Sequence, residues 1–435
     1  MIEAKILQGF ADYLPQQMYL RRYLMDTWRR TFESFGYGEL DTPALEYEEI
    51  FLGKMGEDEK LMYRFEDNGG RKVTLRSDQT VPLARVVVQH QNELKFPFKR
   101  YQIAKVWRAD APRKGREREF YQCDADIVGT THPVADAEIL ALLYTGMKTF
   151  GFDDFILNIN HRGILKGIVS CAGVPENLHT EALRTIDKFD KIGVEGVEKE
   201  CAAKGIPSEA ILNLREFLQW QGKSFEETVD WLKQKLVNSE PAQSGIENLQ
   251  KITELAVAAG VDKRNIVLNN NLVRGQDYYT GIIFELTLPL FGRTSLAGGG
   301  RFDRLASSFG DRDLPGVGVG VGLETFYQLF QTHPLAYPQI APEVLLIAFN
   351  DELLAQVSSI ANDLRAIGKR VMVYPGGAEK MGKQLKYAND LGFPYVLILG
   401  PDEAKEGKIQ LKDMRSGASQ TLKITELVSK LSVLS

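Results

Sequence analysis

The sequence predicts an α+β chain: a mainly antiparallel sheet interrupted by a helical insertion, with a smaller α/β domain at the C-terminal end. Three observations carry this. Two β-rich runs, Phe98–Trp107 and Phe120–Val128, flank a polar, basic loop, as the arms of an antiparallel hairpin do. Strand character then lapses into a charged, helical stretch from about Ala172 to Val261 and returns at Ile282–Leu288, Thr294–Leu296 and Gly316–Val321. Beyond the proline-containing stretch His333–Pro342, short apolar strands at Val344–Phe349, Arg370–Tyr374 and Tyr395–Gly400 alternate with helical segments at Glu352–Ala366 and Lys380–Leu391.

Each element follows from its local pattern. Tyr19–Phe35 is an amphipathic helix, and Ala182–Asp190, Ser208–Trp220 and Ser224–Val237 are the clearest helices of the insertion. The two halves of the sheet are expected to pair across the insertion. The predicted boundaries are 1–171 and 262–332 for the two parts of the sheet domain, 172–261 for the insertion, 333–342 for a linker and 343–435 for the last domain.

Composition narrows the function. At 435 residues, 44% hydrophobic and 26% charged, the chain is too long for one core and is neither disordered nor membranous in character. No apolar run approaches the roughly 20 residues that span a bilayer. The N-terminal residues lack a basic segment followed by an apolar one, so a cytoplasmic setting with no membrane partner is expected. Cys123, Cys171 and Cys201 have no CxxC spacing, and the five histidines form no ligand pair, so neither a disulfide framework nor a protein metal site is expected. Net charge is −5, yet Phe98–Arg118 holds eight basic residues against Asp110 and Glu117, a local net of +6. Such a patch steers phosphate to one place on an otherwise repulsive surface.

The hairpin holds the chemistry. Phe120, Gln122, Asp124 and Asp126 share one face at period two, and Arg108 ends the opposing strand. An arginine grips phosphate bidentately, a phenylalanine stacks a purine, and carboxylates orient amines or imidazole. Gly298, Gly299 and Gly300, ahead of Arg301, let backbone approach a substrate without a Cβ in the way.

These residues sit in an ordered set of longer motifs. FKRYQIAKVWRADAPRKGREREFYQCDADIVG, from Phe98, resembles motif 2 of class II aminoacyl-tRNA synthetases in its histidyl form. LVRGQDYYTGIIFE, from Leu272, is similar to the histidine motif of histidyl-tRNA synthetases. GFADYLP, FGYGELDTPALE and TLRSDQTVPLAR resemble that family's N-terminal, interface and ammonium-binding segments. YPGGAEKMGKQLKYANDLGFPYVLILG resembles its anticodon-binding domain. The resemblance covers nearly the whole chain. It implies a class II synthetase-like, mainly antiparallel catalytic sheet with a helical insertion, plus a C-terminal α/β anticodon-binding-like domain.

It implies roles as well. Arg108 and Arg274 would be catalytic, flanking the α-phosphate of ATP; Asp110 and Phe120 would hold adenine, and Arg301 would also meet ATP. Asp78, Thr80 and Gln122 would bind the ammonium of histidine, with Asp126, Tyr278 and Tyr279 around its imidazole. Arg113, Lys114, Arg116 and Arg118 would contact tRNA. ATP with Mg²⁺, L-histidine and tRNA(His) are the implied substrates and partners, and a homodimer the implied assembly.

One departure stands out. In PGVGVGVGLETFYQLF, Thr325 occupies the place where the resembling motif 3 has an arginine for the γ-phosphate, a charge-assisted contact worth roughly 1.5–3 kcal/mol. Arg301 and Arg304 are nearby substitutes. The departure leaves two readings: a histidine–tRNA ligase, or a catalytically impaired paralogue such as a histidine-sensing regulatory subunit of ATP phosphoribosyltransferase.

Overall fold

A computed structural model describes residues 2–111, 117–220, 222, 224–275, 278–292, 294–310, 312–333, 335, 337, 341–377 and 379–433. Residues 1–14 and 20–336 form one compact unit, and residues 15–19 with 337–435 a second.

Helix α1 (Pro15–Ser34) precedes strand β1 (Gly38–Glu39). A small antiparallel sheet follows, made of β2 (Leu45–Tyr47), β3 (Arg64–Glu66) and β4 (Lys72–Leu75), with β4 in the middle. Asp78 accepts the Val81 amide at 3.0 Å and so opens α2 (Thr80–Gln89). The hairpin arms are β5 (Phe98–Trp107) and β6 (Glu119–Val128), paired residue for residue. Next come α3 (Pro133–Thr149), β7 (Ile156–His161) and α4 (Arg162–Cys171).

The segment read as an insertion is helical: α5 (His179–Ile186), α6 (Phe189–Ala203), α7 (Ser208–Gln219), α8 (Phe225–Lys235) and α9 (Glu240–Ala258). The single helix expected over 182–190 is broken, because α5 ends at Ile186 and Asp187 turns the chain. Strands resume as β8 (Ile266–Leu268), β9 (Ile282–Thr287), β10 (Ser295–Arg301) and β11 (Gly316–Gly322), and α10 (Leu323–Thr332) follows at once. The strand expected at 294–296 runs on to Arg301, since its glycines are ladder residues and not a turn.

Eight strands form the main sheet, in the order β1-β5-β6-β11-β10-β9-β7-β8. Only the edge pairs β1–β5 and β7–β8 are parallel. The halves meet where β11 pairs β6, with Gly318 opposite Asp126 and Gly320 opposite Asp124. Period two then sorts the side chains. One face carries Tyr101, Ala125, Val319 and Phe284, all buried, with the aromatic cluster of Trp28, Phe32, Phe150 and Phe326 beside it. Gly146 of α3 lies against the Trp28 indole, so a Cβ there would collide with the ring. The other face carries Arg100, Gln122, Asp124, Asp126, Glu285, Gly298 and Gly300 of β10 and the glycines of β11, a polar strip on an otherwise apolar scaffold.

His161 ends β7, and its Nδ1 accepts the Gly163 amide at 3.0 Å as the cap of α4. Burial, with Arg301 nearby, pushes its pKa down to about 4. The folded protein therefore binds fewer protons there than the unfolded chain between about pH 6.5 and 4, and stability falls as pH drops through that window. In thermal unfolding from pH 7 to 4, His161→Asn, which keeps a cap acceptor without the titration, is expected to show a shallower decline than the parent protein.

The second unit has a five-stranded mixed sheet ordered β13-β12-β14-β15-β16. Here β12 is Val344–Ala348, β13 Val371–Val373, β14 Tyr395–Leu399, β15 Lys408–Asp413 and β16 Ser419–Lys423. The βαβαβ reading holds for β12, α11 (Leu354–Ala366), β13, α12 (Met381–Asp390) and β14, whose three strands run parallel. The antiparallel β15 and β16 were not legible as strands, being polar and charged. Leu346 and Leu397 pack into one core with α11, and Leu345 and Val396 into another with Ala388 of α12. Burial on both faces explains the unbroken apolar runs of β12 and β14. Among the described residues no helix is long and apolar enough to cross a membrane.

Candidate active site

The polar face of the main sheet opens into a cavity of about 700 Å³. Arg108, Asp110, Phe120, Arg274 and Thr325 all line it, although 217 positions separate the first of these from the last. Arg108 follows β5; its Nε donates to the Ser77 carbonyl at 2.9 Å, and its guanidinium lies 5.5 Å from the centre of the Phe120 ring. That anchorage fixes the planar fork toward the cavity.

Arg274 arrives from the other half of the sheet. Among the described residues it is the one non-glycine with a left-handed backbone, φ 65°. Such a conformation costs an L-residue roughly 1–2 kcal/mol. Two bonds hold it: its amide donates to Asp187 at 3.0 Å, and its Nη1 to Glu285 at 3.2 Å. Its guanidinium lies flat over Gly298, where any Cβ would overlap it. Gly300 clears space for the Tyr279 ring in the same way, and Gly318 for the Asp126 carboxylate. The glycines thus admit the protein's own functional side chains. Gly298→Ala is expected to displace Arg274 and lower turnover by about 10²-fold with little change in melting temperature, since the displaced group is the free end of a long side chain.

Three carboxylates are buried beside this wall. Asp126 pairs with the fully buried Arg100 at 2.7 Å, and Asp78 and Asp124 lie in the same electrostatic neighbourhood. Burial raises all three: Asp126 to about 6 against the pull of Arg100, Asp124 well above the usual range, and Asp78 against the opposing Val81 amide and Arg108. Acceptors exceed donors. Asp78 Oδ2, Gln79 Oε1, Gln122 Oε1 and Asp124 Oδ1 are buried without a hydrogen-bond partner in the protein, against the donors Arg100 Nε, Arg100 Nη1 and Arg274 Nε. Buried polar atoms of this kind call for a ligand rich in N–H groups. Burial also lifts the Tyr278 and Tyr279 hydroxyls, so both stay protonated; the two rings meet edge to face at 4.8 Å, Tyr278 lies near Thr80, and Tyr279 faces Arg274, Asp78 and Asp126. A phosphate-gripping cavity joined to a small donor-seeking pocket can hold a nucleotide against a compact cationic substrate.

A family model described as histidyl-tRNA synthetase matches residues 9–326, and one described as anticodon binding domain matches residues 343–434. The chain belongs to the histidyl-tRNA synthetase family. A histidine–tRNA ligase of Rhodopirellula baltica is 40% identical over 425 residues, 97% of this chain and 95% of its own. One from Phocaeicola vulgatus is 38% identical over 450 residues, 98% of each chain. The crystal structure of histidyl-tRNA synthetase from Nostoc sp. PCC 7120 superposes with a TM-score of 0.87 at 29% identity, covering all of both chains.

Within this histidyl-tRNA synthetase fold the expected residues divide. Arg108, Asp110, Phe120 and Arg274 line one cavity, and Asp78, Thr80, Gln122, Asp126, Tyr278 and Tyr279 gather beside it. Arg301 does not join them. In β10 it alternates away from Gly298 and Gly300, and on the opposite face it forms a bidentate pair with Asp136, at 2.9 and 2.8 Å, and a bond to Asp303 at 3.1 Å. Arg301, expected at ATP, thus has its fork taken up by acids in the core. Arg304 is exposed and does not line the cavity either. Arg118 donates to the carbonyls of Asp110 and Gln8, tying the N-terminal segment to the hairpin. Arg113, Lys114 and Arg116 lie outside the described residues.

Two participants were missed. Arg100 shares period-two spacing with Gln102 and Ala104 on β5, so the rule that aligned Gln122 with Asp126 could have placed it. Arg21 of α1 forms a buried bidentate pair with Glu324, the neighbour of Thr325, and is capped by the Tyr13 ring at 3.7 Å. No local pattern signals a partnership across 303 positions.

Proposed function

We infer that this chain is a histidine–tRNA ligase that activates L-histidine with ATP and transfers it to the 3′ end of tRNA(His). The observation that carries the reading is the convergence of Arg108 and Arg274 on one cavity beside the carboxylate pocket. A histidine carboxylate oxygen attacks the α-phosphorus of ATP, the bond to the β-phosphate oxygen breaks, and pyrophosphate leaves. Arg108 grips the α-phosphate, and Arg274, preorganised by its held backbone, stabilises the charge that develops at the pentavalent phosphorus. Phe120 stacks adenine and Asp110 meets its amine. The terminal hydroxyl of the tRNA then attacks the acyl carbon and AMP leaves.

Histidine fits the donor-seeking pocket. Its ammonium supplies N–H donors to Asp78, Thr80 and Gln122, and its imidazole presents one donor and one acceptor to Asp126 and Tyr279. A rival side chain leaves those buried groups unpaired, and a site built to hydrogen-bond its substrate rejects such analogues by about 10⁴-fold or more. Mg²⁺ would accompany ATP and neutralise phosphate charge, and Glu117 and Glu285 on the cavity wall would offer the hard oxygen ligands it takes, Glu324 being already paired with Arg21. Arg113, Lys114, Arg116 and Arg118 position the acceptor end through phosphate contacts, while residues 343–435 read the anticodon. A homodimer and a cytoplasmic setting belong to the same reading.

The regulatory-subunit alternative is not favoured, since the ligases matched above align over nearly the full length. Histidine-dependent ATP–pyrophosphate exchange, followed by charging of tRNA(His), tests the assignment. Exchange with histidine alone among the amino acids supports it; histidine binding without exchange would return the sensor.

A further inference from the structure

We propose that Asp187, at the corner between α5 and α6, is a positioning residue that holds the catalytic arginine in its working conformation, so that the helical segment 172–261 is a functional part of the active site. The proposal rests on the reading of Arg274 as catalytic.

The chain leading to Arg274 is held on both sides, by the sheet and by the helical segment, where Asn271 donates to the Leu218 carbonyl of α7 at 3.0 Å. Asn160 of β7 donates to the Leu272 carbonyl at 3.0 Å, and Arg162 donates to the Tyr279 carbonyl at 3.2 Å. These bonds fix the chain before and after Arg274 to the sheet, but neither touches its own amide. That amide donates instead to Asp187 Oδ1, 87 positions earlier and on the helical side of the cavity. The bond falls at the one described non-glycine residue whose φ is left-handed. A conformation that sterics disfavour persists only where its surroundings over-determine it. Without a carboxylate for the amide, the backbone is free to relax to negative φ, which swings the side chain off Gly298 and out of line with the phosphorus. Asp187 is itself exposed, so its replacement leaves the core intact. The effect on rate arises through geometry, because misplacing a catalytic group by about 1 Å costs as much as 10²-fold.

The test is pre-steady-state adenylate formation by the full chain with saturating histidine and ATP. Asp187→Ala is expected to slow the step by about 10- to 100-fold while the KM values for histidine and ATP stay within about threefold. Asp187→Asn, which keeps an oxygen acceptor, is expected to retain most of the rate. Arg274→Ala/Asp187→Ala is expected to be no slower than Arg274→Ala alone, because the aspartate acts only through the arginine. A parental rate in Asp187→Ala, an Asn variant as slow as the Ala variant, or multiplicative losses in the double variant would each overturn the proposal while leaving Arg274 catalytic. A parental rate in Arg274→Ala would instead remove the premise.

Discussion

Arg274→Ala is expected to lower histidine-dependent pyrophosphate exchange by about 10²- to 10³-fold, the usual loss when one preorganised stabiliser of transition-state charge is removed. The fold should be unaffected. The side chain is a spoke laid across Gly298, and its ion pair with Glu285 at 3.2 Å is partly open to solvent, so little stability resides in it. Affinity for ATP and histidine should change much less than the rate, because charge at the phosphorus grows only in the transition state. Arg274→Lys is expected to recover little, since a point charge on a flexible stem does not reproduce the planar fork over the glycine. Exchange assays on the three proteins, with melting curves as the control, measure each part.

Asp126→Ala should fail in two separable ways. Arg100 would be left buried without its partner, and removing one member of a buried ion pair costs about 3–5 kcal/mol. The pocket would also lose a carboxylate that faces Tyr279, so histidine affinity should fall steeply. The double variant Arg100→Met/Asp126→Leu separates the two: it replaces the pair with apolar groups and is expected to recover most of the melting temperature, yet bind histidine no better than Asp126→Ala. Restored histidine affinity in that variant would mean the carboxylate serves the fold alone.

Much of this was legible in the sequence because it is local. The β5–β6 hairpin, its shared face and the helical stretch all follow from periodicities of two and 3.6. The gathering of Arg108 and Phe120 needs nothing more than a hairpin. What stayed hidden depends on pairing across long separations. Arg301 was given to ATP from the resemblance and as a stand-in for the cation missing at Thr325; in the folded sheet, alternation sends it to Asp136 on the other face. Of the three glycines read as letting backbone approach a substrate, Gly298 and Gly300 make room for Arg274 and Tyr279, while Gly299 packs against Phe284 on the other face. Thr325 looked like a lost cation with Arg301 and Arg304 as nearby substitutes, and neither of them lines the cavity. The structure sets Arg21 behind that position, paired with Glu324, and Lys191 on the same cavity wall.

The most direct measurement is a crystal structure of the protein with a non-hydrolysable histidyl-adenylate analogue. Arg108 and Arg274 should flank the phosphoryl mimic, with adenine against Phe120 and the imidazole between Asp126 and Tyr279. An analogue whose imidazole lies away from Asp126, or whose phosphoryl group touches neither arginine, would contradict the account.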